Sequence, residues 1–538
     1  MLARARTFTI EGLQTRPVAV EVDIRAGLPA FTIVGLADAA VREARDRVRA
    51  AILNSGYEFP ERRITANLAP GDVPKVGPGL DLALACAVLA ASGQLPVQLL
   101  ESHALFGELS LDGEVRPCHG TLAIAQAAQE EGLHALVLAG ARAREAALVE
   151  GLQVLVAERL CSAVRVLSGE AGDPLPAPVT RSEESRRQVD VGGGIGGPSN
   201  LDLSDVRGQP HAIEALMLAA AGEHNLLLSG PPGTGKTMLA QRLPTILPPL
   251  SRTEAIEVTR IHSITGRLED GELVRRRPFR SPHHSITTAG LVGGARRGWV
   301  GEVVLAHRGV LFLDELSEFA RPTLEALRQP LEDGRVAIVR AQHSAVYPAR
   351  FALIAATNPC PCGYHGDREH CKCSEADLAR HRRRLSGPLL DRIDLVAHLE
   401  RPGASRVARA RPAARRRGGG GGRDSTNPAP TMSSAQVRER VVSARERQAA
   451  RLREEGVSAN AHMDARMLRR HVALSDGAER LLRGAQEQGT MSARGIARVL
   501  RVARTAADLQ GSARTREQDV SLALSLRTQD AHSGRRAA

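Results

Sequence analysis

The stretch NLLLSGPPGTGKTMLAQRL, residues 225–243, restricts this chain more than any other feature. An apolar run at 226–228, a glycine-rich loop and a helix-forming run at 238–243 read as strand, loop and helix. Between them Gly230, Pro231, Pro232, Gly233, Thr234, Gly235, Lys236 and Thr237 keep the spacing of a phosphate-binding P-loop. Glycines let backbone N–H groups close around an anion at a helix N-terminus, where the dipole favours negative charge. Lys236 can then reach the β- and γ-phosphates of a nucleotide, and Thr237 can hold Mg²⁺. Lysine is scarce here: among 72 Lys and Arg residues only Lys75, Lys236 and Lys372 are lysines. A lysine in this loop therefore fits a role that arginine does not fill. Such a loop belongs to a parallel α/β sheet, and residues 201–400 alternate short apolar strands with helices accordingly.

Three further segments complete that sheet. GVLFLDEL, residues 309–316, places Asp314 and Glu315 at the carboxyl end of a buried strand, where open α/β sheets bind ligands. Asp314 would support Mg²⁺ and Glu315 would polarise an attacking water. RFALIAATN ends at Asn358, a polar group set to hold water against the γ-phosphate. SGPLLDRID offers Arg392, which could stabilise transition-state charge in a neighbouring copy.

Together with FRSPHHSITTAGLVGG (279–294), LRQPLEDGRVAI and ATNPCPCG, these segments resemble the YifB/ComM group of magnesium-chelatase-like AAA+ ATPases. The likeness extends from GLADAAVREARDRVRAAI near the N-terminus to SARGIARVLRVARTAADL near the C-terminus. It implies a homo-oligomeric ring, usually a hexamer, with ATP and Mg²⁺ as cofactors. It also implies that Lys236, Thr237, Asp314 and Glu315 form the Walker motifs, Asn358 sensor 1 and Arg392 an arginine finger. Arg494, on the C-terminal lid, matches sensor 2. Arg498 and Arg501 share its helix, so that choice rests on the resemblance.

Composition divides the remainder. Residues 1–168 mix strand-like runs with helical patterns, including a helix whose Val41, Ala44, Val48, Ala51 and Ile52 share one face. Residues 169–200, rich in Gly, Pro and Ser, read as a linker. Residues 401–432 hold eight arginines, one aspartate and five consecutive glycines, and read as a disordered insert. Residues 433–538 lack strand signals and read as a helical lid. The first block resembles the proteolytic domain of Lon, yet Gly79 stands where its serine should be and Ile124 where its lysine should be. A Ser/Lys dyad needs both groups, so peptidase activity is not expected.

Four of the seven cysteines, Cys360, Cys362, Cys371 and Cys373, crowd into fourteen residues after Asn358. The N-terminus shows no apolar leader, and the longest apolar run, 82–91, is half a membrane span. A cytoplasmic location with reduced thiols is therefore expected. Clustered cysteines then point to a structural Zn²⁺ before a disulfide, with a redox-labile thiol cluster as the alternative.

The +12 net charge admits a polyanionic partner. Residues 333–350 alternate as a β-hairpin with Arg340 and His343 near its tip. If it lines a central pore, these two would contact DNA phosphates without sequence choice. The resemblance implies a DNA motor for branch migration in recombination during natural transformation. The alternative is a chelatase-like remodelling or metal-insertion ATPase, whose subunits lack the Lon-like domain.

Overall fold

The computed structural model describes residues 2–173, 201–268, 271–294, 300–340, 343–365, 370–384, 387–400, 432–487 and 491–527. The expected insert at 401–432 lies outside them apart from Met432, as does most of the expected linker. Residues 169–173 instead continue the N-terminal unit, where Asp173 N–H donates to Val156 at 3.0 Å.

Among the described residues the N-terminal unit has a mixed seven-stranded sheet. Its order is Ala30–Val34, Arg63–Ala69, Gln14–Arg25, Leu2–Glu11, His103–Leu105, Ala135–Leu138, Gln153–Val156. The helix read from the sequence runs Ala39–Asn54 and buries Val41, Ala44, Val48, Ala51 and Ile52. Asp38 caps it by accepting from Val41 N–H. The apolar run at 82–91 becomes the helix Asp81–Ala91, all of whose residues are buried. A helix apolar on every side has no face to give to water, and the domain interior is where it fits. No helix among the described residues is long and apolar enough to cross a membrane.

The second sheet is all parallel, in the order Phe279–Arg280, Val310–Leu313, Ala352–Thr357, Leu226–Ser229, Leu395–His398. Its inner strands are apolar without alternation, as burial on both faces requires. The chain leaves the 226–229 strand and returns three positions away, at Phe279–Arg280, so the carboxyl ends open a crevice at that crossing.

The helices Ser434–Leu452 and Ala493–Leu509 close one side of this sheet. Val437, Val441, Val499, Val502 and Ala506 share one apolar cluster with Leu216, Leu226 and Leu228, so the helical unit and the sheet have a common core. A buried polar chain runs through the same contact. Asp394 faces His224 at 3.5 Å, and His224 Nε2 lies 2.8 Å from Thr505 Oγ1. Asn460 donates to Thr505 at 3.0 Å and to Asp508 at 2.9 Å. Asp508, fully buried, also accepts from Arg451 and Arg504, each at 2.7 Å. Removing one partner of a buried ionic group strands the others and costs about 3–5 kcal/mol. Asp508→Ala should therefore loosen the helical unit before the sheet. Hydrogen exchange should quicken in Ser434–Leu452 and Ala493–Leu509 while Leu226–Ser229 stays protected.

Candidate nucleotide site and cysteine cluster

The P-loop turns as its sequence requires. Gly233 and Gly235 adopt φ of +77° and +90°, values that side-chain-bearing residues avoid. A Cβ at Gly230 would lie 2.5 Å from the Leu399 carbonyl oxygen. Pro231 and Pro232 stiffen the turn between these glycines, and Thr234 Oγ1 donates to the Pro231 carbonyl at 2.9 Å. The helix Lys236–Ile246 follows directly.

Three strand ends converge on this loop. Lys236 Nζ donates to the carbonyls of Gly230 at 2.6 Å and Pro231 at 3.0 Å, and to Asn358 Oδ1 at 3.0 Å. Partial burial pulls the Lys236 pKa below the ordinary lysine value, against the opposing pull of Asp314 and Glu315. Thr237 Oγ1 donates to Asp314 Oδ2 at 2.6 Å. A hydroxyl and a carboxylate held together are hard oxygen donors of the kind that suits Mg²⁺.

Glu315 follows directly, its backbone N–H donating to Asp314 Oδ1 at 2.9 Å. Its backbone sits at φ +51°, a conformation that costs about 1–2 kcal/mol in an L-residue. Its exposed carboxylate lies 3.3 Å from His284 Nδ1. His284 in turn lies tilted against His283, with ring centroids 4.0 Å apart, and packs edge-on with Phe319. Residues 279–294 resemble the extra helix insertion of magnesium-chelatase-like ATPases, and the paired histidines were the available signal that this segment also reaches the site.

The other residues singled out in the sequence lie around this core. Arg392 ion-pairs with Glu332, and its carbonyl accepts from Asn225 Nδ2 at 2.9 Å. Arg494 is exposed in the first turn of Ala493–Leu509, whereas Arg498 is buried and Arg501 donates to the Met463 carbonyl at 2.8 Å. Arg335–Arg340 and His343–Pro348 pair as an antiparallel hairpin with Arg340 opposite His343. His343 thus begins the second strand instead of lying in the turn, and the side chains of both residues lie outside the described ones. In the N-terminal unit a Cβ at Gly79 would run into the Phe106 ring, and Ile124 is buried in an apolar cluster with Phe106. Neither position has room for a serine or lysine dyad as it stands.

The four cysteines gather behind Asn358. Their sulfur atoms all lie within 4.8 Å of one another, and all are free thiols. Gly363, at φ +86°, makes the turn between the pairs, with its N–H donating to the Cys360 carbonyl at 2.9 Å. The helix Glu375–Arg384 follows, and its buried His381 donates from Nε2 to the Asn358 carbonyl at 2.9 Å. His381 carried no local sequence signal, because only the fold brings it back to Asn358.

Comparison with known proteins agrees with this arrangement. The family described as magnesium chelatase, subunit ChlI, matches residues 202–407. Subunit ChlI of Mg-chelatase matches 20–142, and its C-terminal family 431–527. A Mycobacterium tuberculosis protein is 44% identical over 98% of both chains. Escherichia coli YifB is 41% identical over 98% of this chain and 97% of its own. The competence protein ComM of Haemophilus influenzae is 41% identical over 93% of this chain and 92% of its own. The chain belongs to the YifB/ComM family of magnesium-chelatase-like AAA+ ATPases.

Proposed function

We propose that this protein is a ring-forming ATPase that couples ATP hydrolysis to DNA translocation and branch migration in recombination. The observation that carries the ATPase half is the convergence of Lys236 with Asn358 and of Thr237 with Asp314 at the sheet's carboxyl edge. ATP bound there would place its phosphates on the P-loop N–H groups and on Lys236, with Mg²⁺ held by Thr237 and Asp314. Magnesium supplies charge neutralisation at the transferring phosphoryl group. Asn358 orients water and Glu315 polarises it, once its carboxylate leaves His284. Arg392 reaches across a ring interface, and Arg494 senses nucleotide from the lid.

The DNA half is supported by the hairpin Arg335–Pro348 and by the relative named as a competence protein. The ChlI families favour a second reading, a chelatase-like remodelling ATPase.

Glu315→Gln should retain ATP binding and slow hydrolysis roughly 10²–10⁴-fold, the usual contribution of a positioned acid–base group. Lys236→Ala should weaken binding itself. Equal turnover by wild type and Glu315→Gln, measured as phosphate release, would refute the assignment.

Arg392→Ala should lose on the order of 10³–10⁵-fold in turnover while still binding ATP. Mixed rings of Arg392→Ala and Glu315→Gln subunits should recover activity where an intact arginine meets an intact glutamate. No recovery in verified mixed rings argues against action across the interface.

DNA binding should ignore sequence and weaken steeply with salt, each neutralised phosphate adding roughly 0.7–0.9 to the log–log slope. Arg340→Ala should lower that slope and slow migration of a synthetic four-strand junction, with hydrolysis in the absence of DNA near normal. An active ATPase that neither binds nor moves junctions at low salt would leave the remodelling reading in its place.

A further inference from the structure

The cysteine cluster is built as a metal site and joined to the nucleotide site on two sides. Tetrahedral Zn²⁺ with Zn–S bonds near 2.3 Å sets its sulfurs about 3.8 Å apart. Here Cys360 and Cys362 sulfurs lie 3.3 Å apart, Cys362 and Cys371 3.7 Å, and Cys360 and Cys371 4.0 Å. That spacing leaves room for one ion and is too tight for a multi-iron cluster. Backbone N–H groups of Tyr364 and Lys372 lie within hydrogen-bonding reach of Cys362 sulfur. Such donors are what a doubly negative tetrathiolate requires around it. Soft thiolates in a tetrahedral set select zinc over magnesium or calcium.

The knuckle's surroundings give it a task. Cys360 lies two residues after Asn358, whose side chain holds Lys236. Ser374, next to Cys373, starts the following helix by hydrogen-bonding with Asp377, and that helix returns His381 to the Asn358 carbonyl. At the knuckle's apex, Gly363 packs so closely on the P-loop that a Cβ there would sit 2.5 Å from Pro232 Cδ. One ion thus closes a ring of contacts that contains both Asn358 and the P-loop turn.

We propose that Cys360, Cys362, Cys371 and Cys373 bind one Zn²⁺ as a tetrathiolate, and that this knuckle clamps Asn358 and Pro232 in register. The clamp rests on the ATP site proposed above, whereas the metal site stands without it.

Full-length protein, purified without chelator or metal-affinity tag, should carry about one zinc per chain by elemental analysis. Cys360→Ser and Cys371→Ser should each lose it. Should these variants misfold, native protein titrated with a mercurial should release one zinc to a chromogenic chelator as the four thiols are consumed. Cobalt substituted for zinc should show thiolate charge-transfer and tetrahedral d–d bands. Gly363→Ala should keep its zinc, yet bind a fluorescent ADP analogue several-fold more weakly. Zinc-free protein with four freely reactive thiols, or iron in place of zinc, overturns the site. Bound zinc with unchanged nucleotide affinity in Gly363→Ala overturns the clamp and leaves the site. Wild-type protein that binds no nucleotide at all would instead fail the ATPase reading, and none of these measurements involves DNA.

Discussion

Asn225 fixes the geometry on which the nucleotide site depends. Its backbone N–H donates to Asp394 Oδ2 at 3.2 Å, and its side chain accepts from Leu353 N–H at 2.9 Å while donating to the Arg392 carbonyl. It stands just before the Leu226–Ser229 strand, so one side chain bonds the amino ends of two adjacent strands and the turn carrying Arg392. Parallel strands hold each other through evenly spaced but slanted bonds and need their register set elsewhere. With Leu226 opposite both Ile354 and Leu395, the same register brings Ser229, Thr357 and His398 level at the far end. The P-loop and Asn358 leave the sheet from that level.

The same junction reaches the helical unit. Asp394 lies two residues from Arg392, and the chain His224, Thr505, Asn460, Asp508 carries polar contact from it into the helix that bears Arg494. Polar groups in so apolar a contact are costly unless each is satisfied, and their value lies in admitting only one arrangement. One network therefore joins the turn carrying Arg392 to the helix that bears Arg494, although the two arginines are about a hundred residues apart in the chain.

Much of this was legible in the sequence for a simple reason: backbone chemistry is local. Gly233 and Gly235 announce positive φ, the apolar runs at 226–228 and 310–313 announce buried strands, and the 41, 44, 48, 51, 52 pattern announces the helix that forms. The four cysteines could be grouped by proximity alone. What stayed hidden depends on return paths. Nothing local marks Asn225, which merely precedes an apolar run, or His381, one polar position in an arginine-rich stretch. Glu315 was placed correctly at a strand end, but its turn toward His284 comes from a backbone conformation that no residue type advertises. A glycine such as Gly363 signals a turn, and only its closeness to Pro232 shows that its missing side chain also makes space.

The tip of the N-terminal unit's first hairpin packs against the hairpin Arg335–Pro348. Gly12 packs so tightly on Ala345 that a Cβ there would lie 2.8 Å from the alanine's own, and Leu13 packs into the apolar cluster holding Val336 and Tyr347. The Leu13 carbonyl accepts from Arg260. These contacts hold Arg335–Pro348 from Val336 and Tyr347 out to Ala345, while Val346 stays exposed. Mechanically the hairpin is a cantilever whose built-in end is shared between two domains. A load applied at its free end is carried as bending moment into the N-terminal sheet as well as the ATPase sheet. The N-terminal unit is thereby an abutment for this hairpin, adding stiffness that the ATPase sheet alone does not supply.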